Sequence, residues 1–160
     1  MSVVKYRLDS RMLHGQTCAA WGAILHVDEY LLVNEKTAKD PMQITLLELA
    51  AMGNEVRVVS PSEAKEILKE EDFYGDRTMV IFKELEDVAE IVRLGFHPDE
   101  ISIGSMIDVP GKNRKKYESN FFVGPEDIEN FKYLDAQGVK SIVQIVPDYK
   151  PKTVKDLVKY

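Results

Sequence analysis

Cysteine is almost missing from this sequence, and its scarcity limits the kinds of site that the chain can build. Cys18 is the only cysteine in 160 residues. The chain therefore cannot form an internal disulfide, and it cannot assemble a zinc or iron–sulfur site from several thiolates. The neighbouring residues Ala19, Ala20 and Trp21 favour a Cys18 thiol that is packed in the core.

An excess of positive charge and long apolar runs are also lacking. Lys and Arg total 21 against 27 Asp and Glu, which gives a formal net charge of -6. A general nucleic-acid-binding protein has the opposite balance. The locally basic segment 111–116 is expected to be a solvated connection. No apolar run approaches the roughly 20 residues that span a bilayer. We therefore expect a cytoplasmic protein without membrane insertion, and the charge balance predicts that it does not bind nucleic acid.

Several well-known catalytic motifs are absent. The sequence contains no GxxxxGK[ST] loop, no GxGxxG after the first predicted strand and no GxSxG elbow. These absences remove support for nucleotide hydrolysis, dinucleotide binding and esterase chemistry.

The apolar pattern that is present predicts an α/β fold. Seven short runs rich in β-branched residues predict strands, and helical spacing lies between most of them: 3–8, 29–34, 55–60, 78–82, 100–103, 120–123 and 140–146. Ser60-Pro61 and Gly124-Pro125 mark two helix starts. The alternation predicts one domain over 1–160, a three-layer α/β/α open sheet that is mainly parallel, with about six to seven strands.

Ligands of such sheets bind beyond the carboxyl ends of the strands, and the loop after the first strand is the most informative. In the segment 7–16, RLDSRMLHGQ, two arginines, an aspartate and a histidine lie close together. Helical spacing over 16–25 places His14 and Gly15 at a helix N-terminus, where free N–H groups attract anions. The loop is predicted to bind a phosphate or another oxyanion. The alternative is that His14 caps the helix while both arginines are solvated or salt-bridged.

These residue types suit phosphoryl transfer. A neutral nitrogen of His14 can accept a phosphoryl group in line while arginines neutralise the transferring oxygens. Asp9 is placed to hold the other ring nitrogen and to fix the tautomer. Lys83, after the fourth strand, adds positive charge or is a solvated lysine at a helix start. Asn34 follows the second strand and reaches the first loop or belongs to a polar turn, and Gly104 lines the cleft from the fifth strand.

The segment 7–16 resembles the opening motif of the IIB subunits of the mannose/fructose/sorbose family of the sugar phosphotransferase system (PTS). The resemblance continues in the family's order through most of the chain: Asn34-Glu35, Met42-Gln43, Phe82-Lys83, Gly104 with Met106, Gly124 with Glu126-Asp127, and Gln144 with Val146-Pro147. The match to the motifs is imperfect at Ser10 and Lys36, where acidic residues are common, and at Ser105, where glycine is often found.

The resemblance implies a phosphocarrier enzyme without a metal or cofactor. His14 would accept a phosphoryl group on Nδ1 from a phosphorylated IIA domain and pass it to a sugar entering through the membrane subunits IIC and IID. Arg11 would assist the transfer, and the remaining residues would bind or support the phosphate: Arg7, Asp9, Gly15, Gln16, Asn34, Lys83 and Gly104.

The same resemblance places the chain in the cytoplasm, held at the membrane through IIC and IID. It leaves the sugar and homo-oligomerisation open. Two other functions fit the loop. One is a noncatalytic module that binds a sugar phosphate or nucleotide phosphate, and the other is an isomerase or hydrolase with His14 as general acid and base.

Overall fold

The computed structural model describes residues 3–15 and 17–160. Gln16, a predicted member of the active loop, lies outside the described residues, and so does the side chain of Cys18. The expectations for these two groups therefore stay predictions.

The chain alternates between strands and helices. The strands are β1 (Val3–Asp9), β2 (Glu29–Val33), β3 (Glu55–Val59), β4 (Thr78–Phe82), β5 (Glu100–Ser105), β6 (Lys115–Glu118), β7 (Phe121–Val123), β8 (Lys140–Val143) and β9 (Lys152–Thr153). The helices are a π-helix (Thr17–Gly22), α1 (Ala23–Leu25), α2 (Glu35–Ala38), α3 (Pro41–Ala50), α4 (Pro61–Glu70), α5 (Leu85–Arg93), α6 (Pro125–Ala136) and α7 (Val154–Val158). In the part of the chain that the structure describes, no helix is both long and apolar enough to cross a membrane.

Within the described residues, seven strands form the central sheet in the order β3-β2-β4-β1-β5-β8-β9. The strands from β3 to β8 pair in parallel, and β9 pairs antiparallel with β8 at the edge. In β1, Leu8 is in register with Phe82 on one side and with Ile103 on the other. The carboxyl ends of these three central strands therefore lie together. The predicted mainly parallel sheet is confirmed.

Helices cover both faces of the sheet, because alternate side chains of each central strand point to opposite faces. In β2, Tyr30 and Leu32 belong to one apolar cluster and Leu31 and Val33 to the other. The first cluster includes Trp21 of the π-helix and Leu47 of α3, and the second is covered by α4 to α7. β2 is therefore buried along its whole length, which accounts for the apolar run 30–33. Glu29, at its start, is buried in an ion pair with Arg57.

One predicted strand has a different place from the one expected. The segment 120–123 becomes β7, which pairs antiparallel with β6 in a separate two-stranded sheet. In the described part of the chain, its link to β5 is an isolated parallel bridge between Met106 and Phe121. The basic segment 111–116, predicted to be only a solvated connection, contributes Lys115 and Lys116 to β6. Burial of Phe121 and Val123 against the second cluster holds this hairpin to the body of the fold.

Candidate active site

The predicted phosphate loop leaves the sheet at the carboxyl end of β1, between the ends of β4 and β5. After β1 the chain passes to the layer that contains Trp21, whereas after β4 it passes to the opposite layer, which contains α5. A crevice opens where neighbouring strands lead to opposite faces. Two cavities of about 250 and 270 Å³ occupy this edge, and Ser10 and Lys83 line both.

Asp9, the last residue of β1, organises the loop. Its side chain is almost fully buried, and Oδ1 accepts a hydrogen bond from the Arg11 backbone N–H at 2.9 Å. The Asp9 carbonyl accepts a second bond from the Met12 N–H at 2.9 Å, and Met12 has a left-handed φ of 57°. This tight turn leaves Oδ2 free to face the imidazole of His14, at 3.3 Å from Nε2.

His14 presents its two ring nitrogens to different surroundings. Nε2 lies 3.3 Å from Asp9 Oδ2 and 2.8 Å from the hydroxyl oxygen of Thr17. No described residue forms a hydrogen bond with Nδ1, and 21% of the side chain is exposed. A carboxylate beside Nε2 favours a proton on that nitrogen, which leaves the lone pair of Nδ1 available as a nucleophile.

Arg11 is the exposed cation of the loop. Half of its side chain is accessible to solvent, and its Nε lies 4.0 Å from Asp9 Oδ1. Arg11 and Lys83 both line the 270 Å³ cavity, which continues to Gln43 and Leu47 of α3. Two cations that border one cavity create a positive field suited to phosphoryl oxygens.

Arg7, expected to bind or to support the phosphate, lies beneath the loop, where its contacts favour the supporting role. Its side chain is 1% exposed, and Nη1 donates at 3.0 Å to Ser102 Oγ and to the carbonyl of Gln144. Its Nη2 donates to the Ile145 carbonyl at 3.3 Å. Burial lowers the pKa of Arg7 to about 10, and nearby Asp9 raises it. Arg7 therefore remains charged at neutral pH but is directed away from the crevice.

Gly104 also supports the site from within. A Cβ atom at this position would overlap Arg7 Nη2 and would lie 3.1 Å from Asp9 Oδ2. The absence of a side chain leaves room for both the Arg7 guanidinium and the Asp9 carboxylate. Gly104 is buried and does not line either of the two cavities named above.

Of the two alternatives for Asn34, reaching the phosphate loop or belonging to a polar turn, its contacts favour the turn, because both ends of its amide are engaged away from the loop. The side-chain oxygen accepts hydrogen bonds from the N–H and hydroxyl of Thr37 at 3.0 and 2.8 Å. Its Nδ2 donates to Asp87 Oδ2 at 3.0 Å. Asn34 therefore begins α2 and joins it to α5, as a helix cap does.

A helical segment follows the loop, as the spacing over 16–25 predicts, but most of it is a π-helix. The chain forms a π-helix from Thr17 to Gly22 and a single short α-helical turn from Ala23 to Leu25. Gly22 permits close packing, because a Cβ there would overlap the Tyr30 hydroxyl. The helical segment that follows the loop is therefore short and widened. A Cβ at Gly15 would meet no atom within 4 Å, so the main chain there is open to approach.

Two contacts at the site were not anticipated. Ser10 and Ser105 share a hydrogen bond of 2.7 Å between their hydroxyl oxygens, which joins two positions where the sequence departs from the family pattern. Thr17 contacts His14, and the i, i+3 spacing of these residues is the signal that could have identified it. Among the described residues, no group of three or more His, Cys, Asp or Glu side chains could hold a metal ion.

Comparison with known proteins identifies the family. The family model "PTS system sorbose subfamily IIB component" matches residues 3–160. The chain is 30% identical over 147 residues to the sorbose-specific EIIB component of Klebsiella pneumoniae, covering 91% of this chain and 88% of that protein. It is 28% identical to the mannose-specific EIIAB component of Escherichia coli strain K12, with 95% of this chain and 47% of that protein covered.

The fold gives the same result. The crystal structure of the IIBSor domain of the sorbose permease from Klebsiella pneumoniae superposes with a TM-score of 0.89 at 28% identity, covering 99% of this chain and 97% of that domain. The matched residues include the β1 loop and the strands on either side of it. The chain therefore belongs to the sorbose subfamily of IIB components, the phosphocarriers of the sugar phosphotransferase system.

Proposed function

We propose that His14 carries the phosphoryl group and that Nδ1 is the accepting atom. The observation that supports this assignment is the asymmetry of the ring, in which Nε2 contacts Asp9 and Thr17 while Nδ1 has no hydrogen-bond partner among the described residues. In the reaction, the Nδ1 lone pair forms the new N–P bond as the bond between phosphorus and the donor's histidine breaks. The donor nitrogen recovers its electron pair, and the proton on Nε2 stays in place beside Asp9.

The exposed cations stabilise this transfer. Arg11 and Lys83 offset the charge on the equatorial phosphoryl oxygens, where a positioned cation lowers the barrier. Arg7 acts indirectly from beneath the loop, where it hydrogen-bonds to Ser102 and to the carbonyls of Gln144 and Ile145. Gly15 leaves the main chain open to the donor, and a supporting role for Gln16 rests on the resemblance alone.

The phosphoryl donor is a phosphorylated IIA domain, and the acceptor is a sugar that enters through IIC and IID. The name of the mannose-specific relative supports this kind of donor, since that protein is an EIIAB component. The chain would then act in the cytoplasm, at the membrane surface beside IIC and IID. The family assignment does not depend on which sugar is carried.

An apolar stripe on α3 supports docking of the IIA domain beside His14. Its members recur on one side of α3 and its end and are more than half exposed: Met42, Leu46, Leu49 and Met52. Gln43 and Leu47 of the same helix line the cavity that holds Arg11. The stripe is thus continuous with the proposed site, and exposed apolar surface of this kind is typical of an interface.

Phosphorylation by a IIA domain tests the assignment. Incubation of the whole chain with a phosphorylated IIA domain is expected to place an acid-labile, alkali-stable label on His14. The chain has only three histidines, so His26→Ala and His97→Ala are matched controls that should retain the label. NMR of the labelled ring, with ¹⁵N and ³¹P detection, should find phosphorus on Nδ1.

Three results contradict the proposal. Label that survives His14→Ala overturns the choice of residue, and phosphorus on Nε2 overturns the choice of atom. A chain that takes no label but binds a sugar phosphate behaves as a noncatalytic module.

A further inference from the structure

A buried hydroxyl group lies against the ring of His14. Thr17 begins the π-helix, and the residue is 2% exposed. Its Oγ1 lies 2.8 Å from His14 Nε2. This is shorter than the 3.3 Å between Nε2 and Asp9 Oδ2. Among the described residues, the closest polar partner of the inner ring nitrogen is therefore a hydroxyl, and the carboxylate is second.

The two partners of Nε2 differ in what they can do. A carboxylate only accepts hydrogen bonds, whereas a threonine hydroxyl both donates and accepts. Nε2 carries at most one hydrogen. Asp9 can therefore stabilise Nε2 only when it is protonated, and it repels the bare lone pair. Thr17 can stabilise either state, because its hydrogen can rotate about the C–O bond.

We propose that Thr17 is a positioning residue that holds the inner edge of the His14 ring in both states of the phosphorylation cycle. Before transfer, the Nε2–H lies between the Asp9 carboxylate and the Thr17 hydroxyl oxygen, so the Nδ1 lone pair points outward. After transfer, Nε2 releases its proton to water, and the Thr17 hydroxyl donates its hydrogen to the bare nitrogen. This inference rests on the proposed function, because it takes Nδ1 of His14 as the site of phosphorylation.

The second state determines how long the phosphoryl group is kept. A phosphoimidazole protonated on Nε2 leaves more readily, since the departing ring is then neutral. A donor hydrogen bond to the unprotonated nitrogen disfavours protonation. Asp9, at the end of β1, acts in the opposite direction. The other charged groups nearby are Arg11, beyond Asp9 Oδ1, and Arg7, beneath the loop. Thr17 therefore keeps the phosphoryl group on the ring until an acceptor arrives.

Two substitutions at position 17 separate the hydroxyl from the shape of the side chain. Thr17→Val preserves the volume and removes the hydroxyl, and Thr17→Ser preserves the hydroxyl. The matched control is Thr78→Val, which removes another buried threonine hydroxyl. The Thr78 hydroxyl donates to Glu29 at 2.9 Å, at the amino end of β4 and away from the phosphate loop. Each whole chain is labelled with a phosphorylated IIA domain and then separated from it. Loss of label is followed over a range of pH, and unfolding by urea confirms that each variant is folded.

We expect Thr17→Val to lose its label roughly two- to tenfold faster than the wild-type chain near neutral pH, the range that one hydrogen bond supplies. Its profile of label loss should move to higher pH, because Asp9 then acts on Nε2 unopposed. Thr17→Ser and Thr78→Val should follow the wild-type profile. A structural role alone would change the stability of Thr17→Val without moving the pH profile.

A measurement on the wild-type chain keeps the inference testable if Thr17→Val does not fold. The ¹⁵N shifts of His14 should report a proton on Nε2 before phosphorylation, and a predominant proton on Nδ1 overturns the inference. Equal pH profiles for wild type and Thr17→Val overturn it as well. Both results differ from failure of the proposed function, in which the wild-type chain takes no label on His14.

Discussion

Ser10 and Ser105 are joined through their hydroxyl oxygens at 2.7 Å, and the Ser10 N–H also donates to the Ser105 carbonyl at 3.0 Å. These two contacts fasten the loop after β1 to the end of β5. The loop that contains His14 is therefore held from the side by a neighbouring strand as well as by its own turn at Asp9.

This contact predicts that Ser10 and Ser105 are energetically coupled. Ser10→Ala and Ser105→Ala should each lower the free energy of unfolding by about 1 kcal/mol, because each removes the same hydrogen bond. The double variant should lose less than the sum of the two single losses. Urea unfolding of the four chains measures the coupling, and strictly additive losses would show that the hydroxyls do not interact.

Arg11 should be sensitive to geometry as well as to charge. Arg11→Lys keeps the positive charge but removes the planar fork that binds two phosphoryl oxygens. We expect transfer to slow by about one to two orders of magnitude, which corresponds to loss of roughly 1.5 to 3 kcal/mol in the transition state. Arg11→Ala should be at least as slow.

The rates of transfer from the IIA domain to His14 and from His14 to sugar are measured separately for both Arg11 variants. Wild-type rates in both steps for Arg11→Lys would make Arg11 a solvated charge. Lys83 would then be the main cation of the crevice.

Substitution by alanine should destabilise the fold at Gly104 and should have almost no effect at Gly15. Gly104→Ala places a methyl group where the Arg7 guanidinium lies, and we expect it to lower the free energy of unfolding by about 2 to 4 kcal/mol. Gly15→Ala meets no atom within 4 Å, so its effect on stability should stay within about 0.5 kcal/mol. Denaturant unfolding tests both, and equal losses would contradict the packing of Arg7 on Gly104.

The buried carboxyl of Asp87 should make stability depend on pH. Burial raises the pKa of Asp87 from 3.8 to about 6, although hydrogen bonds from Asn34 and from the Glu84 N–H lower it. The folded state therefore holds this proton more tightly than the unfolded state does. The stabilisation is complete below pH 3.8 and is lost as the pH rises through about 6.

Asp87→Asn removes this titration and is the comparison that isolates it. Relative to the variant, the wild-type chain should lose about 2 kcal/mol of unfolding free energy between pH 4 and pH 6, out of a total of about 3 kcal/mol. Chemical unfolding of both chains at several pH values gives the difference. A difference that is constant with pH, or one that grows in favour of the wild type, would contradict the raised pKa.

The apolar stripe of α3 should affect the encounter with the IIA domain and leave the reacting groups unchanged. Leu46→Ser and Leu49→Ser are expected to raise the KM for the phosphorylated IIA domain about tenfold or more, with little change in kcat, since exposed apolar anchors contribute to association. Tyr74→Ser is the control. Tyr74 is also exposed, but it precedes the amino end of β4, whereas the candidate site lies at the carboxyl ends of the strands. An equal rise in KM for the control would argue against a specific surface.

The parts of the fold that follow periodic patterns could be predicted from the sequence. β2 and β4 contain the apolar runs 30–33 and 79–82, and Ser60 starts α4 as its side chain and the following proline indicate. β9 was not predicted, because a strand of two residues is too short to show an alternating apolar pattern. The hairpin of β6 and β7 was not foreseen because pairing partners depend on tertiary contacts.

The candidate site, like the fold, could be predicted from the sequence only in part. The place of the loop and the contact between Asp9 and His14 followed from spacing, since both residues belong to one short segment. The burial of Arg7 did not follow, because it depends on Gly104 and Ser102, nearly a hundred positions away along the chain. Asn34 carried no local signal that Asp87 would occupy its amide.

As the proposed phosphoryl carrier, the partly exposed His14 also limits how fast the chain can work. One accessible nitrogen in one crevice admits one macromolecule at a time, so the donor has to depart before the acceptor can approach. The rate of turnover is then limited by how long the donor and the acceptor each stay bound. Tight binding to either partner would lower the rate of turnover. Weak, short-lived complexes with both partners therefore suit this site.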